Sequence, residues 1–280
     1  MTQQILCLSG RKQSGKNTAI NFIVGMYMHS IGLIKDRFTI TEHGELYISD
    51  INGDNEFEGI FDIFRGTPAM EIFLADNLDS VLKVYSFADL LKTEVCMKIL
   101  GLTYEQVYGS DDKKNELTHL KWEDMPNIIV DDEFHYQHSE WFMNNPEYQY
   151  HQSGPMTARE VLQYVGTNIF RKMYNDVWVD ATMRRIKDEG AAVALICDCR
   201  FPNEVFGTQK NGGKVIRLTR NPHPEDKHPS ETALDRENFD WSKFDAVIEN
   251  ENITIPQQNE AIYNTLKGWN MCPIELEINK

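Results

Sequence analysis

The stretch LSGRKQSGKNTAINF, Leu8 to Phe22, decides how the chain is read. It follows the pattern G-x-x-x-x-G-K-[ST] through Gly10, Gly15 and Lys16, then puts Asn17 where the pattern has a hydroxyl residue, with Thr18 one step late. Glycines let successive backbone N–H groups converge on phosphate oxygens at a helix N-terminus, and the lysine adds a mobile positive charge. The setting supports that use. Gln4 to Leu8 is a short apolar run ending at the glycine, as a buried strand gives, and Thr18 to Ile31 spaces its apolar residues as a helix does. The usual hydroxyl contributes to Mg2+ binding. Here Asn17 could offer an amide oxygen to the ion or its waters, and Thr18 could cap the helix or meet the α-phosphate.

Outward from that loop, strands and helices alternate. SVLKVYSFADLLKTEVCMKILGL reads as a strand over 81–87 and a helix over 89–100 that Gly101 stops. MTAREVLQYVGTNIFRKMY starts a helix with Thr157 and Glu160 as a capping box, and a second helix runs from Asn175 or Asp176 to Gly190. A buried-type strand over 192–198, a helix from Pro202, strands over 214–220 and 244–250, and a helix over 256–269 complete the series. Such alternation implies a parallel sheet covered by helices. Two stretches stand outside it. RFTITEHGELYIS alternates around His43-Gly44 as a β-hairpin does, within an acidic insertion taken as 37–67. The 127–154 stretch is rich in aromatics, Asn, Gln and acid without a sustained period, which suits a surface lobe or lid.

The 280 residues, 41% of them hydrophobic, can fill a real core. A formal charge of −15 argues against wrapping a nucleic-acid polymer, which is held mainly by clustered Lys and Arg. An acidic protein that binds a small anion must gather its few cations locally. The first ten residues have neither the basic lead of a signal peptide nor the length of a membrane span, so the chain reads as cytosolic. Five cysteines without C-x-x-C pairing fit reduced thiols; Cys197 and Cys199 share a strand face opposite Asp198 and read as small buried hydrophobes.

Candidate chemistry gathers at predicted strand ends. LICDCRFPNEV puts Asp198 and Arg200 at the carboxyl end of a buried strand, where open parallel sheets bind ligands. Asp198 reads either as a turn or cap residue or as a carboxylate facing an acceptor or a metal's water shell. Arg217 and Arg220 flank the next strand end. Each alone could be solvated, but with Arg200 and Lys16 they would line one sheet edge, and phosphoryl transfer needs mobile cations there. Arg171 and Lys172 end the capped helix near Trp178, which could equally be core. His135 and His138 lack the partners of a closed zinc site.

Four segments together resemble one family: LSGRKQSGKNT, YSFADLLK, MTAREVLQYVGTNIFRKMYNDVWVD, and DCRFPNEV with GGKVIRLTRN, HPSE and DAVIEN. In this order they are similar to the deoxynucleoside monophosphate kinases of tailed bacteriophages, over residues 5 to about 250. The resemblance implies a P-loop three-layer α/β/α fold. Its parts would be a five-stranded parallel core, the inserted hairpin, an acceptor-binding lobe, and a lid loop over 221–232. It implies transfer of the ATP γ-phosphate to a deoxynucleoside monophosphate with Mg2+. No nucleic-acid polymer or membrane would be a partner, and a homodimer is one option for assembly. On that likeness Gly10, Lys12, Gly15, Lys16, Asn17 and Thr18 hold ATP, with Asn17 and Thr18 as the metal's side-chain donors. Ser86, Lys92, Gln163, Arg171, Trp178 and Asp198 serve the acceptor, Trp178 as a platform for its base. Lys16, Asn17, Arg200 and Arg220 serve catalysis. The family's loop usually reads G-K-D-T, and Asn17 removes that carboxylate. SETALDRENFDWSKFDAVIENE also resembles animal-type phosphomevalonate kinase, and a P-loop protein that binds nucleotide without turnover is a further alternative.

Overall fold

A computed structural model describes residues 3–35, 38–49, 59–64 and 67–274. These divide into two compact units, one formed by residues 1–87 with 179–280 and the other by 88–178.

The first unit begins with strand β1 (Gln4–Ser9) and helix α1 (Lys16–Ser30). Three short strands follow, β2 (Thr39–Ile40), β3 (Leu46–Ile48) and β4 (Gly59–Phe61), in one antiparallel sheet. The expected hairpin around His43-Gly44 is therefore β2 and β3; positions 37, 50–58, 65 and 66 of the 37–67 stretch lie outside the described residues. Helix α2 (Pro68–Asn77) leads to β5 (Leu82–Tyr85).

The second unit carries the strands β6 (Leu117–Lys121), β7 (Ile128–Ile129), β8 (Gln149–Tyr150) and β9 (Pro155–Thr157). They pair as β6 with β9 and β7 with β8. Both longer helices here are wide, with i→i+5 turns: Leu91–Ile99, and Tyr164–Arg171 continuing from the helix Ala158–Gln163. Thr157 and Glu160 form the anticipated capping box, each side chain accepting from the other's backbone N–H. The aromatic stretch packs on itself. His135 stacks on Tyr150, and His138 on Phe134, so both imidazoles are engaged by rings.

Back in the first unit, β10 (Val193–Cys199), β11 (Lys214–Leu218) and β12 (Ala246–Ile248) complete a five-stranded sheet of order β12-β11-β1-β10-β5. All its pairings are parallel. Leu6 and Leu8 of β1, Leu195 of β10 and Ile216 and Leu218 of β11 are buried against Ile20, Ile23 and Met26 of α1. Burying such side chains contributes roughly 1.5–3 kcal/mol each, which explains why these apolar runs read so clearly. Cys7 and Cys199 are buried side by side on β1 and β10, and burial pushes the Cys7 thiol up; Cys197 is half-buried. Chain order runs to β5 and β10 on one side of β1 and to β11 and β12 on the other. The carboxyl end of β1 is thus a topological switch point, where open α/β sheets bind ligands.

Candidate active site

At that point the loop Gly10–Gly15 joins β1 to α1. Gly15 is the N-cap of α1 at φ +95°, and no side chain caps the helix, which has no acid in its first turn. A cap of that conformation suits glycine, and an uncapped start leaves backbone N–H groups directed at whatever occupies the loop. Lys16 is 7% exposed, and its ammonium donates to the carbonyls of Gly10 at 2.8 Å and Arg11 at 2.6 Å. Burial, with Arg200 nearby, pulls its pKa well below the ordinary lysine value, and Glu231 opposes this. A negative charge placed beside Lys16 would favour its charged form.

Behind the loop, the side chain of Asn250 donates to the carbonyl of Ser14 at 2.7 Å and to Gln258 Oε1 at 2.6 Å, while its own oxygen accepts from the N–H of Arg220. Gln258 in turn donates to the carbonyl of Gly15. Asn250 and Gln258 thus fix the loop from the ends of β12 and the last helix (Ile255–Gly268). Nothing local in the sequence ties either residue to the loop, since their partners there, Ser14 and Gly15, lie more than 200 positions away.

Asn17 is exposed on the first turn of α1. Thr18 faces the hairpin turn: a Cβ at Gly44 would lie 2.1 Å from Thr18 Oγ1, and Asn21 donates to the Gly44 carbonyl at 2.9 Å. Asp198 joins the exits of two strands, one oxygen accepting from the hydroxyl of Ser86 at 2.5 Å and the other from the N–H of Phe87 at 2.7 Å. Arg200 sits on the turn after β10, which Glu204 fixes by accepting the N–H groups of Arg200 and Phe201. Its guanidinium donates to Glu231 at 2.5 Å. Arg220 is exposed beyond β11.

Arg217 is 3% exposed, lies over the Trp241 ring, and donates to Ser9 Oγ at 3.1 Å; burial brings its pKa down to about 10. The sequence left open whether it was a solvated strand end; instead it is enclosed beneath the loop. Arg11, which sequence reasoning passed over, makes a two-pronged pair with Asp235 at 3.1 and 2.6 Å. Four cations, Arg11, Lys16, Arg200 and Arg217, therefore surround one loop in a protein of charge −15.

Beside it, at the ends of β11 and β12, lies a cavity of about 400 Å³ lined by Thr219, Arg236, Trp241, Glu249, Glu251, Asn252 and Ile253. The Arg236 guanidinium stacks over the Trp241 ring at 4.3 Å and reaches Glu249 at 3.7 Å.

The donor set suits a metal ion that arrives with its ligand. Among the described residues no group of three His, Cys, Asp or Glu side chains could hold an ion, whereas Asn17 exposes an amide oxygen at the loop. Mg2+ keeps several waters and takes phosphate oxygens with one or two protein donors.

The remaining expected acceptor residues, Lys92, Gln163, Arg171 and Trp178, belong to the second unit. Gln163 and Arg171 are half-buried there, and the Lys92 ammonium lies 4.9 Å from the Tyr108 ring. Trp178 is 5% exposed, donates its indole N–H to the carbonyl of Gly166 at 3.1 Å, and packs on Phe170. Stacking on a base needs an accessible ring face, and Trp178 spends its rings on packing.

A family profile described as deoxynucleotide monophosphate kinase matches residues 4–258. A protein of Acanthamoeba polyphaga mimivirus, named as a candidate deoxynucleotide monophosphate kinase, is 29% identical over 178 residues, covering 58% of this chain and 72% of the mimiviral one. Among the described residues no helix is long and apolar enough to cross a membrane.

Proposed function

The chain belongs to the deoxynucleotide monophosphate kinase family, and from that premise we propose that it transfers the γ-phosphate of ATP to a deoxynucleoside monophosphate. An acceptor phosphate oxygen attacks the γ-phosphorus while the bond to the β,γ-bridging oxygen breaks, giving ADP and the deoxynucleoside diphosphate. The observation that carries this reading is the glycine loop at the carboxyl end of the central strand, encircled by Lys16, Arg11, Arg200 and Arg217.

Such a transfer asks the protein for position and charge rather than covalent chemistry. The N–H groups at the start of α1 cradle the donor's phosphates, and Lys16 turns from the loop carbonyls onto them. Arg200, with Arg220 from the next strand end, balances charge that spreads over the transferred group. Arg217 is enclosed under Trp241 and acts from beneath the loop, on Ser9 and Asp235. Asn17, with Thr18 alongside, would hold Mg2+ that arrives with the phosphates, and the ion would supply further neutralisation. The cavity beside Arg236 and Trp241, whose lining also carries Glu249 and Glu251, takes the donor's base against the aromatic wall of Trp241. Ser86 and Asp198 serve the acceptor from the ends of β5 and β10; for Lys92, Gln163 and Arg171 the same role rests on the family likeness alone.

A coupled ADP-release assay tests the proposal, with Mg-ATP and each deoxynucleoside monophosphate in turn and phosphomevalonate as control acceptor. Turnover with at least one nucleotide is expected. Turnover with phosphomevalonate alone would assign the other kinase chemistry, and ATP binding without any turnover would make the nucleotide a ligand only.

A further inference from the structure

Asn221, His223, Glu231 and Asp235 bind the segment from 221 to 235 to the glycine loop. Arg11 donates to Asn221 Oδ1 and to the carbonyl of His223, both at 3.1 Å, as well as to Asp235. The imidazole of His223 meets Gln13 Oε1 at 2.8 Å, at a loop residue whose own φ is +57°. The decisive contact is at Glu231. Its Oε2 accepts the backbone N–H of Lys12 at 2.7 Å and the guanidinium of Arg200 at 2.5 Å, with 11% of its side chain exposed.

A single anionic oxygen that takes a loop N–H and a guanidinium together has the coordination the site would otherwise give a phosphate oxygen. The carboxylate and a phosphate cannot share those donors, because two like charges at hydrogen-bond distance repel strongly where water is scarce. We propose that Glu231 is a built-in phosphate surrogate, which clasps the 221–235 segment over the loop before nucleotide arrives and is displaced by the incoming donor. Donor binding thus opens this segment, whereas a lid that only closes on substrate would do the reverse. Asp235 lies at the far end of the same clasp. It pairs with Arg11 and, at 3.7 Å, with Arg217, and with neither of the donors that Glu231 holds, so it keeps the segment tethered while Glu231 lets go.

The inference rests on the reading of the loop as the ATP phosphate site, and the test separates the two. Mg-ATP binding is measured calorimetrically, without acceptor, for the wild-type chain and for Glu231→Gln and Glu231→Ala. Removing the competing charge is expected to tighten binding about tenfold, the conservative Gln variant guarding against loss of fold. In the wild-type chain, trypsin should cut after the exposed Lys227 faster with Mg-ATP than without it. Equal or weaker binding by both variants, or protection of Lys227 by Mg-ATP, overturns the clasp. Absence of Mg-ATP binding in all three proteins overturns the phosphate-site reading beneath it.

Discussion

Replacing Lys16 by methionine separates the chemical role of the loop from its structural one. The ammonium is held at 2.8 and 2.6 Å from two carbonyls and is 7% exposed, so methionine fills nearly the same space and removes only the charge and its hydrogen bonds. At about 4 Å from a phosphate oxygen, with an effective dielectric near 20, that charge is worth about 4 kcal/mol before desolvation. Loss of one such preorganised donor typically lowers kcat by about 10²–10³-fold, and the same range is expected here for kcat/KM in the ADP-release assay. Stability should change little. Two carbonyls lose a donor, at about 1–3 kcal/mol each, but a buried ammonium is also removed, and the two effects oppose each other. The pH dependence gives an independent check. Because the folded chain holds Lys16 well below its ordinary 10.5, the unfolded chain binds more protons between that depressed value and 10.5. Wild-type stability therefore gains a contribution as pH rises through this window, and the methionine variant lacks it. Urea unfolding of both proteins from neutral to alkaline pH measures the difference. Activity within about threefold of wild type, in a variant with wild-type unfolding at neutral pH, would refute the role assigned to Lys16.

Three further outcomes are expected. Asn17→Asp restores the family's carboxylate at an exposed position and should keep or raise kcat, with the Mg2+ dependence shifted to lower concentration; a large loss in the ADP-release assay would mean the site is organised around the amide. Gly44→Ala brings a Cβ to 2.1 Å from Thr18 Oγ1 at a φ of +81°, so it should cost about 1–2 kcal/mol of stability and raise KM for ATP. An unchanged KM would show that the hairpin turn is indifferent to the loop. Asp245 is pushed up by burial, but hydrogen bonds from Gln209, Lys214 and the N–H of Val215 outweigh this and hold it below its usual 3.8. Its stabilisation is complete above 3.8 and fades as pH falls through the depressed value, so acid unfolding curves of wild type and Asp245→Ala should converge only in strong acid.

Residues whose environment is set by neighbours in sequence were legible. The run from Gln4 to Leu8 is a buried strand because alternation is unnecessary when both faces are covered, and the glycine loop declared itself by spacing alone. His43-Gly44 marked a turn because Gly44 adopts a positive φ there. Residues defined by distant partners were silent. Whether Arg217 is a solvated strand end stays open in the sequence, since nothing nearby announces Ser9, Asp235 and the Trp241 ring. Glu231 and Asp235 look like ordinary acids of a polar loop until Lys12, Arg200 and Arg11 come to them. The wide helices Leu91–Ile99 and Tyr164–Arg171 escaped detection because an i→i+5 turn leaves the apolar spacing close to that of an ordinary helix. Trp178 could be placed by sequence only near the end of a capped helix, and packing decided which way its ring faces.

The strand order also governs how the chain can be made. β1 leaves the ribosome long before its sheet partners β10 and β11, and Gln4 pairs with Val193. At about 5–20 residues per second, a central apolar strand waits on the order of ten to forty seconds for its neighbours. During that interval QILCLS is an unpaired edge with no charged residue to guard it. The second unit, residues 88–178, is synthesised in one uninterrupted run inside the interval and can fold while β1 is still waiting. Yield from a cell should therefore respond to translation speed and to chaperones that shield the nascent β1 strand, even where the finished protein's stability does not.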